Sequence, residues 1–280
     1  RERLILVGAK KGAKQHNNPE AITNPAEKGV IFSGLPKGPN CRDALGDLPD
    51  ADNFDSLMNT DEVSTSSYGK VSNYAAELRC LTNEAWHYGY VRNWNPKQMT
   101  SSARTMHSDI SRLRFSETQT GEVEPISRFF RLPPEGLSNT LRAGTGGARG
   151  AFTSPRPIHF KHSRCITVRE MARLHGFPDW FRFHSTKWHG ARQVGNAVPP
   201  PMARAVATSI RIALNKKSSR PANAIELGDH RLLNIELSKA ASMFGVEAPS
   251  GKRDRKSGAK KRKQVDIEKL RLRKKRAANG

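Results

Sequence analysis

The chain has 280 residues and a formal charge of +22, from 48 Lys and Arg against 26 Asp and Glu, and 36% of its residues are hydrophobic. No stretch reaches the ~18 consecutive apolar residues that a membrane span needs, so we expect no membrane partner. A balance this basic favours a polyanionic partner, most commonly nucleic acid. Three cysteines, far apart and odd in number, indicate a reducing compartment without a disulfide framework.

The first half of the chain predicts few regular elements. Residues 4–7 form an apolar run ended by Gly8 and predict a short buried strand. Residues 41–48 precede a proline and predict one or two helical turns, and a second helix is predicted over about 72–81. Residues 93–150 alternate short apolar pairs with Pro and Gly, which indicates short strands and loops in place of long helices.

The second half is more regular. Thr167 and Glu170 have the spacing of a capping box, and Gly176 stands where a helix C-cap glycine belongs, so a two-turn helix is predicted over 168–175. After three prolines, apolar residues recur at four-residue steps, which predicts an amphipathic helix over 202–214.

Beyond residue 214 the composition shifts. Residues 232–244 predict a helix that stops at Gly245. Residues 252–276 contain 14 basic and three acidic residues, a net +11 that is half of the excess positive charge. We expect the tail from residue 249 onward to be disordered in isolation, because it is highly charged and nearly free of aromatic residues.

One group of side chains has a spacing compatible with metal ligands. His159, His162 and Cys165 follow each other at three-residue steps. No fourth ligand follows at a suitable spacing, and Lys161 and Arg164 would repel a cation. We therefore predict no metal site.

Two runs of sequence carry a resemblance to a known family. Residues 164–179 read RCITVREMARLHGFPD and residues 192–200 read RQVGNAVPP. In this order and at this spacing they resemble the ninth and tenth sequence motifs of the DNA cytosine-5 methyltransferases. Residues 138–145 and 153–159 look like the end of the family's target-recognition region. Residues 1–8, RERLILVG, are similar to its eighth motif without the leading glutamine.

The resemblance implies a fold class and a division of the chain. The fold implied is α/β: an incomplete Rossmann-like S-adenosylmethionine-dependent methyltransferase fold plus a mixed, loop-rich target-recognition domain. The expected division assigns residues 1–50 to the end of the catalytic domain, 51–163 to the recognition domain and 164–214 to the ninth and tenth motifs. Residues 215–248 are expected to contain a possible C-terminal helix, and residues 249–280 a basic tail.

The resemblance also assigns a catalytic pair and a cofactor segment. Chemistry on a base requires the base to leave the stack, and a guanidinium is suited to gripping its carbonyl oxygen or a phosphate. The family position beside the flipped cytosine falls on Arg3, with Arg1 in a supporting role. The segment lining the S-adenosyl-L-methionine pocket falls on Gly195, Asn196, Ala197 and Val198. The alternative for that segment is an ordinary joint between a loop and a helix.

DNA contacts are expected in the recognition region. Thr140 and Leu141 match the family's Thr-Leu pair, which approaches DNA near the target base. Arg142, Arg149 and Arg156 are candidates for contacts with phosphates or guanine edges. For each arginine taken singly, a solvated basic loop is the competing interpretation. Arg164, Thr167, Arg169 and Glu170 are instead expected to hold the recognition region to the rest of the chain.

The catalytic cysteine of the family is not found in this sequence. The family's nucleophile stands in a Pro-Cys-Gln context, whereas Cys41 precedes Arg42 and Cys80 and Cys165 have no resemblance to it. We therefore expect the chain to be inactive alone. It is expected to be either one subunit of a split enzyme, whose second polypeptide carries the nucleophile, or a truncated product that is a non-catalytic DNA-binding remnant. Double-stranded DNA, a restriction-modification context and a cytoplasmic, nucleoid-associated location follow from the same resemblance.

Overall fold

The computed structural model describes residues 5–12, 14, 16–25, 31–82, 91–144, 156–219 and 222–247. Four of the expectations above, on Arg1, Arg3, Arg149 and the tail from residue 249, lie outside the described residues.

Short helices dominate these ranges. The α-helices are α1 (Cys41–Leu45), α2 (Asn73–Leu78), α3 (Asp109–Glu117), α4 (Val168–Leu174), α5 (Lys187–Asn196), α6 (Pro200–Ala213) and α7 (Leu237–Met243). Turns of 3-10 helix occupy Ala51–Asn53, Asp55–Met58 and His230–Asn234. The two-residue strands are β1 (Val63–Ser64), β2 (Arg92–Asn93), β3 (Gln98–Met99) and β4 (Ile225–Glu226).

The strands of the described ranges form two small sheets. β1 pairs antiparallel with β3, with Val63 opposite Met99, and β2 pairs parallel with β4, with Arg92 opposite Ile225. The wide parallel sheet of a Rossmann-like fold is therefore not found in this part of the chain. The strand expected over 4–7 does not form in its described part either, because no described residue supplies backbone partners to it and Leu6 is 83% exposed.

Helix α4 is built by its own local sequence, as predicted. The Thr167 hydroxyl accepts from the Glu170 amide, and the Glu170 carboxylate accepts from the Thr167 amide at 2.6 Å, which completes the capping box. At the other end Gly176 has a φ of +82°, and the Phe177 amide donates to Ala172 O at 2.9 Å. This is a Schellman ending, in which glycine avoids the left-handed strain that any other residue would carry.

Helix α4 lies at the centre of the core. The largest buried cluster collects apolar side chains from α1, α4, α5 and the segments between them: Cys41, Ala44, Leu45, Leu132, Leu141, Ile166, Val168, Met171, Ala172, Phe177, Phe183, Ala191 and Val194. Helix α1 closes one side, where its first amide, that of Cys41, donates to Gly136 O at 2.9 Å. Helix α6 contributes no fully buried residue.

Charged side chains are buried beside this core. The guanidinium of Arg173 donates to Asp179 at 2.6 and 2.8 Å and to Asp47 at 3.0 Å, and the side chains of Arg173 and Asp47 have no exposed surface. It also donates to Ala44 O at 3.2 Å, at the end of α1. Burial opposes ionisation of Asp179, but the attraction of Arg173 outweighs it and keeps the pKa of Asp179 below its usual value.

Two further arginines join other segments to α4: Arg169 contacts residue 100 of the recognition region, and Arg164 contacts Asp50, which precedes that region. Arg164 donates to both carboxylate oxygens of Glu170 at 2.8 and 2.9 Å and to Asp50 at 2.9 Å. Arg169 is fully enclosed and donates to Thr100 O at 3.1 Å, to Thr100 Oγ1 at 2.7 Å and to Phe181 O at 2.8 Å. These contacts give the buried N–H groups of both guanidiniums hydrogen-bond partners within the protein in place of water.

Two helices differ from the sequence predictions. Helix α3 occupies a stretch where strands and loops were expected; Ser108 caps it, but only Ser111 and Phe115 are buried, so its apolar period is weak. Helix α5 was not predicted, because its buried face is formed by Gly190, Ala191, Val194 and Gly195, and glycine disfavours helix.

The predicted helix over 202–214 is confirmed and begins two residues earlier, with Pro200 and Pro201 in its first turn. The helix expected over 232–244 is divided into a 3-10 turn and α7, and it stops as predicted before Gly245, whose φ is +61°. None of the helices in the described ranges is long and apolar enough to cross a membrane.

Replacing Arg173 by Leu should lower the free energy of unfolding by about 3–5 kcal/mol, because two buried carboxylates lose their nearest counter-charge. Arg42→Leu is the matched control: Arg42 pairs with Glu135 at 2.6 Å, but both side chains are more than half exposed, and the loss should stay below about 1 kcal/mol. Urea denaturation of both variants measures the difference. Equal losses would contradict the importance given to the buried cluster.

Acid should destabilise the fold through two histidines. Burial lowers the pKa of His107 to about 4 and that of His159 to about 3, and each ring accepts backbone N–H groups, from Cys165 to His107 and from Lys161 to His159. In the unfolded chain each histidine binds a proton near pH 6.5. In the folded chain His107 binds one only near pH 4 and His159 only near pH 3. Stability is therefore complete above pH 6.5 and falls as the pH drops toward 4, by about 1.4 kcal/mol per pH unit for each histidine.

Denaturation midpoints measured between pH 7 and pH 4 test this slope. The double variant His107→Gln, His159→Gln keeps an acceptor at each position and should flatten the slope. An unchanged slope in that variant would assign the acid sensitivity to other groups.

Candidate functional site

The segment 195–198 joins two helices. Gly195 and Asn196 form the last turn of α5, Ala197 is its extended C-cap, and α6 begins at Pro200. Both ends of this junction are fixed: the Ala197 amide donates to Gln193 O at 3.1 Å, and the prolines direct the chain into α6. Asn196 and Val198 are exposed on the junction, and Val198 is 42% accessible.

Gly195 touches the backbone of residues 142–143, which belong to the segment 140–143, here called the recognition segment. A Cβ on Gly195 would lie 2.6 Å from Ala143 N and 2.8 Å from both Ala143 Cα and Arg142 C. No side chain fits in such a space, so glycine is required here by a close approach of two main chains. The partner of this close approach within the described residues is the chain's own segment 142–143.

A second contact holds the junction from the side of α4. His175, the C-cap of α4, places Nε2 3.1 Å from Ala197 O, which accepts a hydrogen bond from the Nε2–H tautomer. Gly176 follows, and a Cβ there would lie 2.7 Å from Pro201 Cδ. The end of α4 therefore fixes both the turn at Ala197 and the start of α6.

The recognition segment alternates between core and solvent. Leu141 is 7% exposed and belongs to the main apolar cluster, whereas Thr140 and Arg142 on either side of it are exposed. An extended segment turns successive side chains to opposite sides, so anchoring Leu141 directs its two neighbours outward. The expectation that Leu141 contacts DNA is corrected accordingly: its side chain is an anchor.

Arg156 is also placed differently from the expectation. It is 7% exposed and donates to Ile166 O at 3.0 Å and to Thr105 Oγ1 at 2.6 Å. Burial lowers the pKa of its guanidinium. An arginine enclosed in this way cannot reach a phosphate without breaking those bonds, so Arg156 is a structural residue that joins residue 105 to the strand-like segment before α4.

A cleft of about 480 Å³ opens where these segments meet. Its walls come from the loop around residue 24, the start of α1, the recognition segment and the start of α6. Its lining includes Asn24, Asn40, Asn139, Thr140, His175, Pro199 and Met202. The structure thus brings Thr140 and Pro199 to one cleft, whose surface combines amide, hydroxyl and apolar groups. The four residues expected to line the cofactor, 195–198, are not part of its lining.

The cysteines of the chain lack the surroundings of a nucleophile. Burial raises the pKa of Cys165 to about 11 and that of Cys80 also to about 11. Cys41 is 1% exposed in the first turn of α1. A nucleophilic cysteine needs a lowered pKa and access to its target.

Three functional features escaped the sequence reasoning. Helix α5, which presents Gly195 to the recognition segment, carries two glycines and gave no helical signal. Asp47 and Asp50 gave a weak signal, as acidic residues beside Pro49, but nothing indicated their arginine partners. The contact of His175 with Ala197 was not predicted, although both lie inside the two motif-like runs.

Substituting Gly195 by Ala should destabilise the chain by about 1–3 kcal/mol, because a methyl group placed 2.6 Å from a backbone nitrogen forces α5 and the segment 142–143 apart. Gly8→Ala is the control, since a Cβ on Gly8 meets nothing within 4 Å. Thermal unfolding compares the two. A Gly195→Ala chain as stable as the Gly8→Ala chain would show that the approach is looser than described.

Comparison with known proteins gives concordant matches. The family model described as C-5 cytosine-specific DNA methylase matches residues 1–211. Type II methyltransferase M.XorII of Xanthomonas oryzae pv. oryzae is 48% identical over 248 residues, which are 89% of this chain and 55% of that protein. DNA (cytosine-5)-methyltransferase 4 of Arabidopsis thaliana is 28% identical over 258 residues, covering 78% of this chain and 16% of that protein.

A solved structure described as a putative DNA modification methyltransferase encoded within a prophage (E. coli) is 32% identical. The match covers 65% of this chain and 50% of that chain, with a TM-score of 0.46. The chain spans about half the length of M.XorII and less of the plant enzyme. Members of the matched family use S-adenosyl-L-methionine as methyl donor. Since the family model covers residues 1–211, three quarters of the chain, the protein belongs to the C-5 cytosine-specific DNA methylases.

Proposed function

We propose that this chain is the C-terminal part of a DNA cytosine-5 methyltransferase, which reads DNA and completes the S-adenosyl-L-methionine pocket for methyl transfer to C5 of cytosine. The observation that carries the proposal is the contact of Gly195 with the Arg142–Ala143 backbone. It ties the segment expected to read DNA to the segment expected to line the cofactor, so that the two form one unit.

The residues at the α5–α6 junction suit the methionine part of the cofactor. Asn196 presents an amide with donors and an acceptor, which matches an ammonium and a carboxylate, and Val198 presents apolar surface. When bound, the cofactor supplies an electrophilic methyl group. The role of this chain is to line one side of the pocket: the carbonyl of Ala197 is held by His175, and Gly195 holds the backbone close to residue 143.

Contact with double-stranded DNA is assigned to exposed groups of the recognition segment. Thr140 and Arg142 point away from the core on either side of the Leu141 anchor. Arg142 can donate in a fork to a guanine edge or to a phosphate. Arg149 for DNA contact, and Arg3 with Arg1 for the flipped base, remain in the proposal on the resemblance of their sequence positions alone.

The nucleophile of the reaction is proposed to lie outside these 280 residues. In the family reaction a cysteine thiolate adds to C6 of cytosine, C5 takes the methyl group, and removal of the C5 proton releases the enzyme. In this chain the pKa values of Cys80 and Cys165 are raised and Cys41 is enclosed, which supports assigning that step elsewhere. Residues outside this sequence, which carry the nucleophile and most of the cofactor site, complete the enzyme.

This proposal retains the division into a catalytic-domain end, a recognition domain and a returning segment at 1–50, 51–163 and 164–214. Arg169 bridges the last two of these units through Thr100, and Arg164 bridges the first and the last through Asp50. A restriction-modification system in the cytoplasm, close to the nucleoid, is the setting that agrees with a DNA-modifying enzyme with reduced cysteines. The second candidate, a non-catalytic DNA-binding remnant, is favoured by the same cysteines but gives no role to the 195–198 junction.

Transfer of labelled methyl groups from S-adenosyl-L-methionine to duplex DNA tests the proposal. We expect no transfer by this chain alone and transfer by its mixture with the polypeptide encoded immediately upstream. In that mixture Arg142→Ala should lower kcat/KM by about ten-fold or more, the value of one lost bidentate contact. Arg231→Ala, which removes an exposed arginine paired with Asp229, should leave the rate unchanged.

Transfer by these 280 residues alone would refute the assignment of the nucleophile to residues outside this sequence. An inactive mixture that still binds duplex DNA would favour the remnant.

A further inference from the structure

Helix α5 packs against two different neighbours and leaves one side open. A Cβ on Gly190 would lie 3.0 Å from Val168 Cγ1 of α4, so this side of the helix faces the core. Gly195 faces the backbone of residues 142–143. Successive residues of an α-helix are about 100° apart, so these two contact sides differ by about 140°. The recognition segment therefore lies along one flank of α5, next to the solvent side of the helix.

Arg192 is the exposed residue of α5 that lies closest to this flank. It stands three residues before Gly195, which places the two residues on the same side of the helix, about one turn apart. It is also about 160° from Gly190 around the helix, so its side chain points away from the core. Arg142 is exposed as well and belongs to the backbone that Gly195 touches. Two exposed guanidiniums are thus carried by backbones that meet at Gly195.

An aromatic ring supports the side chain of Arg192. Its Cζ lies 5.3 Å from the ring centroid of Trp188, one turn earlier in α5, which is within the range of a cation–π interaction. The ring of Trp188 packs edge to face against His189, with the ring centroids 4.6 Å apart. A guanidinium held over a ring keeps the N–H groups at its edge for an acceptor such as a phosphate. Trp188 therefore reduces the conformational freedom that Arg192 would lose on binding.

Neither exposed guanidinium is neutralised by a carboxylate of the described residues. Most arginines in the described ranges form a salt bridge, such as Arg42 with Glu135. The salt bridges within these ranges include neither Arg142 nor Arg192. Two uncompensated positive charges on adjoining backbones attract a polyanion, and duplex DNA is one.

We propose that Arg192 is a further DNA-contacting residue, which binds a backbone phosphate of the duplex contacted by Arg142, and that Trp188 is the positioning residue of Arg192. The proposal rests on the proposed function, from which it takes duplex DNA as the partner. A phosphate suits Arg192 better than a base edge. Two sides of α5 are occupied by α4 and by the recognition segment, so the helix presents a flank to the duplex and does not enter a groove.

The position of Arg192 on α5 gives the contact a role beyond affinity. Asn196, proposed above to line the cofactor pocket, follows Arg192 by one turn on the exposed side of the same helix. Contacts with phosphates fix the register and orientation of a protein on a duplex without reading its sequence. A phosphate held by Arg192 therefore fixes the duplex relative to the cofactor side, while the recognition segment contacts the bases.

Binding of a duplex of about 30 base pairs to the full chain, measured by fluorescence anisotropy between roughly 50 and 200 mM KCl, tests the phosphate contact. Arg192→Ala should lower the slope of log K against log salt by about 0.9 and weaken binding by about three- to ten-fold, because one phosphate contact is lost. Arg192→Lys keeps the charge and should restore the slope. It should still bind more weakly than the unaltered chain, because an ammonium cannot donate in a fork.

Two substitutions that preserve every charge test the role of Trp188. Trp188→Phe keeps a ring face beside Arg192 and should bind DNA as the unaltered chain does. Trp188→Leu removes the ring and should weaken binding by about two- to five-fold, the value of an exposed cation–π contact, with the salt slope unchanged. Equal affinity of the two variants would overturn the positioning role. If Trp188→Leu does not fold, the comparison of Arg192→Lys with Arg192→Ala still decides the phosphate contact.

Arg231→Ala is the matched control for charge. It also removes one exposed arginine, but Arg231 pairs with Asp229 at 2.8 Å, and its loss should leave the affinity and the salt slope unchanged. An Arg192→Ala chain that binds DNA as the Arg231→Ala chain does would overturn the phosphate contact. A loss of the same size on single-stranded RNA of equal length would show that Arg192 does not select a duplex, and would overturn duplex DNA as its partner.

Methyl transfer by the mixture described above separates DNA from cofactor. Arg192→Ala should raise the KM for DNA and leave kcat and the KM for S-adenosyl-L-methionine unchanged, because a phosphate contact is made equally before and during the reaction. A raised KM for the cofactor alone would assign Arg192 to the carboxylate of the cofactor and overturn the proposal. DNA binding by the chain needs no methyl transfer, so failure of the proposed function and failure of the Arg192 contact give different results.

Discussion

The rest of this structure depends on the burial of Arg173 between Asp47 and Asp179. Removing a guanidinium and two carboxylates from water costs several kcal/mol per ion, and only a complete set of partners offsets that cost. The set is complete only when the end of α1, the C-terminal part of α4 and the loop at 178–181 are all in place. The ion cluster therefore favours one arrangement of these segments over the looser ones that apolar packing alone would permit.

From this fixed centre the candidate site is built outward in two steps. Arg169 holds residue 100 of the recognition region against α4, and Arg164 holds Asp50 there. The end of α4, through His175 and Gly176, holds the junction of α5 and α6. Neither step uses an exposed polar side chain of the candidate site. Thr140, Arg142 and Asn196 are the residues proposed to contact DNA or the cofactor. Their side chains are exposed, and the backbone that carries them is held in place by buried residues.

The sequence predicts the parts of this framework that are local. Helix α4 follows from a capping box and a C-cap glycine within ten residues, and α6 follows from its prolines and its apolar period. The partners of the buried arginines could not be predicted, because Asp47 lies 126 residues from Arg173 and any of several acidic residues fits the chemistry. Leu141 and Arg156 were misassigned for a related reason: sequence position alone does not say which side of a segment faces the core.

The contact at Gly195 has a consequence for how members of such a family diverge. The three atoms nearest to a Cβ placed on this glycine, Ala143 N, Ala143 Cα and Arg142 C, belong to the main chain. The joint between the two functional segments is thus indifferent to the side chains at residues 142 and 143. If the chain has the proposed function, substitutions at residues 142 and 143 can change the DNA sequence that is recognised. The segment 195–198, which lines the cofactor pocket in that proposal, does not have to change with them.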